Sequence, residues 1–194
     1  IADEVQAGLG RSGCMWGHQL HDVTPDIVTM GKPLGNGYPL AALVSRPELI
    51  NSFRQQVMYF NTFGGNPVAC AAGNAVLDVM ARDDLITHAQ TTGDYIRAGF
   101  ARLADKHSLI GDIRGHGLWV GVELVTDRTL KTPATAATRE LVNRVKNRGV
   151  LLNRIGEFDN VLKMRPPLPF NQHNADLLLE TVDAALDEMA PNLP

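Results

Sequence analysis

The spacing of apolar residues divides the chain into two stretches, with the change of character near Asp84. Before it, short apolar runs alternate with glycine- and proline-rich turns. Ile27, Val28 and Met30 form one such run, which reads as a short buried strand leading into Gly31-Lys32-Pro33-Leu34-Gly35-Asn36-Gly37. Leu40–Val44 reads as another buried strand, and Arg46-Pro47-Glu48 opens a helix with proline in its first turn. Asn66-Pro67 pairs an N-cap residue with a first-turn proline and starts a helix running to about Met80. Ala69, Ala71, Ala72, Gly73 and Ala75 give that helix a narrow face suited to close packing.

Beyond Asp84 the periods lengthen. Tyr95, Ile96, Phe100 and Leu103 stripe a long amphipathic helix, whereas Leu118, Val120, Val122 and Leu124 alternate with Trp119, Gly121 and Glu123 as in a half-buried strand. Ala137, Leu141 and Val145 predict a helix over 135–148. Val150–Leu152 and Val161–Met164 read as strands, and Leu178, Val182, Leu186 and Met189 stripe a last helix. This mix predicts a small α+β domain at 84–194 on the tail of a larger α/β domain represented by 1–83.

Composition narrows the partners. The 194 residues are 44% hydrophobic, enough to bury a substantial core, and a net charge of −3 shows no basic excess for nucleic acid. No apolar run approaches a membrane span. Two cysteines, Cys14 and Cys70, are too few and too far apart for a disulfide framework, which fits a reducing cytosol. His18 and His21 stand three apart beside Asp22, but no second cluster completes a ligand set, so no metal is expected.

Two residues carry unusual chemistry for their places. Lys32 ends an apolar strand in a turn of proline and glycine. Burial there would disfavour the ammonium form and make the amine a nucleophile toward an aldehyde; a lysine that snorkels to solvent would fit the same pattern. Asp3 likewise closes a short apolar strand before the glycine-rich loop Gly8-Leu9-Gly10-Arg11-Ser12-Gly13, either as a turn-capping carboxylate or as a functional acid. Functional groups in α/β sheets collect beyond the carboxyl ends of parallel strands, so the two can face one site. A lysine for a Schiff base and an acid facing a ring nitrogen are what pyridoxal phosphate requires. The third segment, Asn61-Thr62-Phe63-Gly64-Gly65-Asn66-Pro67, places a hydroxyl and glycine N–H groups before a helix, which suits a phosphate or an ordinary connection.

Together, Asp3-Glu4-Val5-Gln6 with its glycine-rich loop, Thr29-Met30-Gly31-Lys32-Pro33 and the Thr62 segment resemble the class III (subgroup II) aminotransferases, pyridoxal-phosphate enzymes of fold type I. The resemblance implies that Lys32 forms the Schiff base with pyridoxal 5'-phosphate and Asp3 meets the pyridine nitrogen. By the same resemblance, Gln6 contacts the phenolic oxygen, and Thr62 binds the phosphate of the neighbouring subunit in a homodimer. It assigns 1–83 to the C-terminal part of the large cofactor-binding domain and 84–194 to the small C-terminal domain.

Arg165 follows an apolar strand and precedes Pro166-Pro167, which bias it to an extended backbone and aim its guanidinium. A planar guanidinium grips a carboxylate with two parallel bonds. By resemblance Arg165 is the small-domain arginine for the substrate carboxylate; a structural ion pair is the other reading. Arg114, beside Gly115 and Gly117, reads as a turn or interdomain arginine. Asp127-Arg128, Lys131–Thr135 and Asn160–Pro167 most resemble a branch that includes ethanolamine-phosphate and phosphohydroxylysine phospho-lyases. Arg165 stands where those lyases tend to carry lysine, which puts transamination first, phosphate elimination second and a non-catalytic dimerisation or regulatory domain third. The motifs begin at the Asp3 strand, and from this the chain is expected to be part of a longer protein, inactive by itself.

Overall fold

The computed structural model describes residues 1–190. The chain divides into two compact units, the first covering Ile1–Thr87 and the second starting at His88.

In the first unit, β1 (Ala2–Asp3) lies parallel to β2 (Ile27–Met30), and β2 lies antiparallel to β3 (Ala42–Ser45), in the order β1-β2-β3. Register puts Asp3 opposite Thr29, and the Glu4 N–H continues the ladder to the Thr29 carbonyl at 2.9 Å. After β2 the chain turns tightly through Lys32–Gly35, with Asn36 closing the turn in the left-handed region at φ 44°. Helix α1 (Pro47–Gln56) starts at its proline, and α2 (Pro67–Arg82) is capped as its sequence predicts, the Asn66 Oδ1 accepting from the Ala69 N–H at 2.9 Å. Helix α2 packs on the turn after β2 through Gly73: a Cβ there would lie 2.7 Å from Leu40 Cδ2.

The strand expected at Leu40–Val44 is present as β3, but it is not buried. Leu43 and Val44 are 54% and 58% exposed. The reason is its place at the edge of a three-stranded sheet, where one flank has no neighbour and the faces carry little cover.

The second unit holds the main hydrophobic core. Helix α3 (Leu85–Lys106) begins just before it and lays Ala89, Ile96 and Phe100 into the core. Strands β4 (Ile110–His116), β5 (Trp119–Asp127), β8 (Val161–Met164) and β7 (Asn153–Ile155) form an antiparallel sheet in that order, with short β6 (Thr132–Pro133) pairing off β5. Val120, Val122 and Leu124 face the core, as their alternation predicts, alongside Leu162 and Met164. Helices α4 (Thr135–Asn147) and α5 (Gln172–Met189) complete the core through Leu141, Val145, Leu178, Val182, Leu186 and Met189. The helices, mixed parallel and antiparallel sheets and their order give the expected α/β organisation.

Two local readings change. Val150–Leu152 is not a strand, because its first N–H completes the C-terminal cap of α4: Gly149, at φ 90°, donates to Lys146 and Val150 donates to Val145. The strand begins only at Asn153. Arg114 is not in a turn. It lies within β4, where Nη1 donates to Asp112 at 2.6 Å and Glu123 at 2.7 Å, and these two carboxylates raise its pKa above the ordinary guanidinium value.

Candidate active site

The first unit brings Asp3 and Lys32 to neighbouring strand ends. Because β1 and β2 are adjacent and parallel, both chains leave the sheet on the same side, Asp3 as the last residue of β1 and Lys32 just past the end of β2. Adjacent strands lie about 4.8 Å apart, so the two emerging segments start within side-chain reach of one region. Asp3 is exposed, and its Oδ1 accepts the Val5 N–H at 3.0 Å. That bond ties the carboxylate to the turn that carries Gln6, itself exposed, and leaves it further acceptor capacity for a partner.

Lys32 departs from expectation. It is exposed, so the residues of this chain do not desolvate its amine. The turn instead buries Gly31 and Gly35 and holds Lys32 at φ 32°, a left-handed conformation uncommon for a residue with a Cβ. Such local strain persists where the surrounding structure enforces it, and it clusters at functional sites.

Thr62 sits in an exposed turn organised by its neighbour: the Asn61 Oδ1 accepts from Phe63 and Gly64 N–H groups at 3.1 and 2.9 Å. Gly65, at φ 69°, lets the chain turn into the Asn66 cap. Arg165 belongs to the second unit. It follows β8 and, with Lys163, lines a cavity of about 630 Å³ whose apolar wall includes Val150, Leu152, Phe170 and Leu177. On β8 Leu162 and Met164 turn into the core, so strand alternation directs Lys163 and Arg165 to the opposite face.

Two residues matter more than their sequence context suggested. Glu4 is 2% exposed, and its carboxylate accepts from Gly17 N–H at 2.8 Å, His18 N–H at 2.9 Å and His18 Nδ1 at 2.8 Å. His18, considered in sequence only beside His21 as a metal ligand, is thus the partner of a buried acid. The one available signal was an unclaimed carboxylate between Asp3 and a glycine-rich loop, which does not reveal its donors.

Comparison with known proteins covers most of the chain. The family Aminotransferase class-III matches residues 1–186. Alanine–glyoxylate aminotransferase 2 homolog 2, mitochondrial, of Arabidopsis thaliana is 48% identical over 189 residues, covering 97% of this chain and 39% of the plant protein. Ethanolamine-phosphate phospho-lyase homolog 1 of Caenorhabditis elegans is 47% identical over 193 residues, covering 97% of this chain and 40% of that protein. The chain therefore spans about two fifths of the length of these curated relatives. A phospholyase structure from Arthrobacter in complex with phosphoethanolamine superposes with a TM-score of 0.91 at 46% identity, covering 95% of this chain and 44% of that one. Members of the matched family share fold type I and use pyridoxal phosphate. The chain, from its Asp3 strand through its last helix, belongs to the class III aminotransferase family.

Proposed function

We propose that the protein carrying this chain is a pyridoxal-phosphate-dependent aminotransferase that moves an amino group from an amino acid or amine to a keto acid or aldehyde. The observation that supports this most directly is the delivery of Asp3 and Lys32 past the ends of two adjacent parallel strands. When bound, pyridoxal phosphate supplies an electron sink for charge developing at the substrate's α-carbon. Lys32 would hold the cofactor through its amine, and that amine, freed when the substrate's amine takes its place, would take and return the substrate's α-proton. Asp3 keeps a proton on the ring nitrogen, Gln6 meets the phenolic oxygen and Arg165 grips the substrate carboxylate. On this reading residues 1–83 belong to the cofactor-binding domain and 84–194 to the small C-terminal domain.

Thr62 serves the phosphate, and in a homodimer it reaches the cofactor of the neighbouring subunit. The exposure around it supports an interface there: Met58 is 97% exposed, and Phe60 and Phe63 are each 79% exposed. Among the described residues no helix is long and apolar enough to cross a membrane. Cys14 and Cys70 are free, which suits a reducing compartment such as the cytosol.

Elimination of phosphate from a phosphorylated amine is the second reading, favoured by the fit to the Arthrobacter phospholyase. One assay separates the two. The complete protein is given a panel of amino donors with a keto-acid acceptor while keto product and free phosphate are both followed. Transamination yields keto product without phosphate; phosphate release from phosphoethanolamine with no amino transfer would replace the first reading with the second. Lys32→Ala should abolish either activity along with borohydride fixation of the cofactor, and full turnover in that variant would end both readings.

A further inference from the structure

We infer that Glu4, locked by His18, is a positioning residue that sets where the Asp3 carboxylate stands, an inference that rests on the aminotransferase reading of Asp3. Every polar group of Glu4 is committed. Its N–H extends the ladder to Thr29 on β2, and its carbonyl accepts the Gly8 N–H at 3.1 Å. Its buried carboxylate takes the Gly17 and His18 N–H groups, the first unpaired donors of the short helical turn Gly17–His21, and the His18 ring as well. One residue therefore ties the end of β1 to β2, to the turn at Gly8 and to the far end of the loop.

The packing leaves no room for the tie to slide. A Cβ on Gly17 would lie 2.5 Å from Ala7 Cβ and 3.2 Å from Glu4 Oε2, and one on Gly8 would lie 2.9 Å from the Glu4 carbonyl oxygen. Successive residues along an extended chain face opposite sides, so Glu4 is turned inward where Asp3 is turned out. Asp3 is then held between an anchored successor and its own bond to Val5. Burying a carboxylate is favourable only when it is hydrogen-bonded, and here both oxygens accept from N–H groups. Glutamine cannot replace it without loss, since either orientation of the amide sets an NH₂ against a donor.

The test uses the complete protein with Glu4→Gln, His18→Asn, His18→Leu and, as a control on the underlying reading, Asp3→Asn. In the cofactor-free protein Glu4→Gln should speed amide hydrogen exchange at Gly17 and His18. In the loaded enzyme it should lower kcat by about 10- to 100-fold, the scale on which small misplacements act, with KM changed less than about twofold. It should also shift the pH at which the bound cofactor's absorbance changes. His18→Asn, whose amide can donate from the place of Nδ1, should recover most of the kcat lost in His18→Leu. The proposal falls if Glu4→Gln turns over like the parent while Asp3→Asn is crippled, or if the loss merely tracks thermal unfolding and vanishes on cooling. Should Glu4→Gln fail to fold, equal activity in the two His18 variants overturns the proposal. An unchanged kcat in Asp3→Asn removes the aminotransferase role of Asp3 itself, a distinct failure.

Discussion

At the scale of single residues, the Asp3 carboxylate has two duties. Oδ1 accepts the Val5 N–H, which orients the carboxylate while leaving it acceptor capacity for a ring nitrogen. Asp3→Asn keeps the shape and the turn but removes the charge that favours a protonated pyridine. In the complete enzyme kcat should fall by about 100-fold or more, as for loss of a single electrostatic stabiliser, with the melting temperature nearly unchanged. Arg165 acts on the substrate instead. Arg165→Lys substitutes a point charge for a two-pronged grip, so KM for amino-acid donors should rise about tenfold, equivalent to about 1.4 kcal/mol. Amines without a carboxylate should be little affected; equal losses for both substrate types would make Arg165 a structural residue.

At the scale of elements, a close approach of backbones and an ionic tie add to the hydrophobic core of the second unit. Helix α3 rests on the β4–β5 hairpin through Gly93, where a Cβ would lie 1.8 Å from the Gly117 carbonyl oxygen, and Arg97 donates to that oxygen at 3.2 Å. The obstacle is backbone and cannot rotate away. Gly93→Ala should therefore destabilise the unit by about 3 kcal/mol, the upper range for overpacking. That loss lowers Tm by roughly 10 °C or more in a domain of this size, read by calorimetry.

The tie joins α3 to α5. Asp183 accepts from His107 at 2.5 Å and Lys106 at 2.9 Å, while Lys106 also reaches Asp187 at 2.7 Å. The His107 hydrogen bond is the largest influence and holds the Asp183 carboxyl below its ordinary pKa; burial opposes it, and the bond and charge of Lys106 add to the lowering. A lowered folded-state pKa means the stabilisation is fully present above the unfolded value of about 3.9 and disappears as pH falls through the folded value. Asp183→Asn should thus lower stability near neutral pH by about 1 kcal/mol and flatten the loss of stability below about pH 4, measured by denaturant titration.

At the scale of the whole molecule the two units are unequal. The hydrophobic cluster runs from Ala89 to Met189, all of it in the second unit. In the first, Leu9, Met30, Ala69 and Met80 are the buried apolar residues, while Leu43, Val44, Met58, Tyr59, Phe60 and Phe63 are exposed. Local stability follows buried apolar contact. Limited proteolysis of the 194-residue chain should therefore cut first within residues 51–65 and leave a resistant product spanning most of 88–190. Survival of an intact first unit after the second is digested would contradict this ordering.

Much of this arrangement was determined by the sequence alone, wherever a short-range rule decides the outcome. The Asn66-Pro67 cap, the stripes of α4 and α5, the alternation of Val120, Val122 and Leu124, and the lysine delivered after Ile27–Met30 each depend on neighbours within a few residues. Strand β4 did not announce itself, since Gly111, Asp112, Arg114 and Gly115 lack an apolar alternation; pairing with β5 makes it a strand. Val150 looked like a strand residue until the cap of α4 claimed its N–H. The exposure of β3 and of Lys32, and the three donors around Glu4, were settled only in three dimensions. Burial and hydrogen-bond satisfaction depend on which distant segments arrive, and a local pattern records a residue's preference without recording its company.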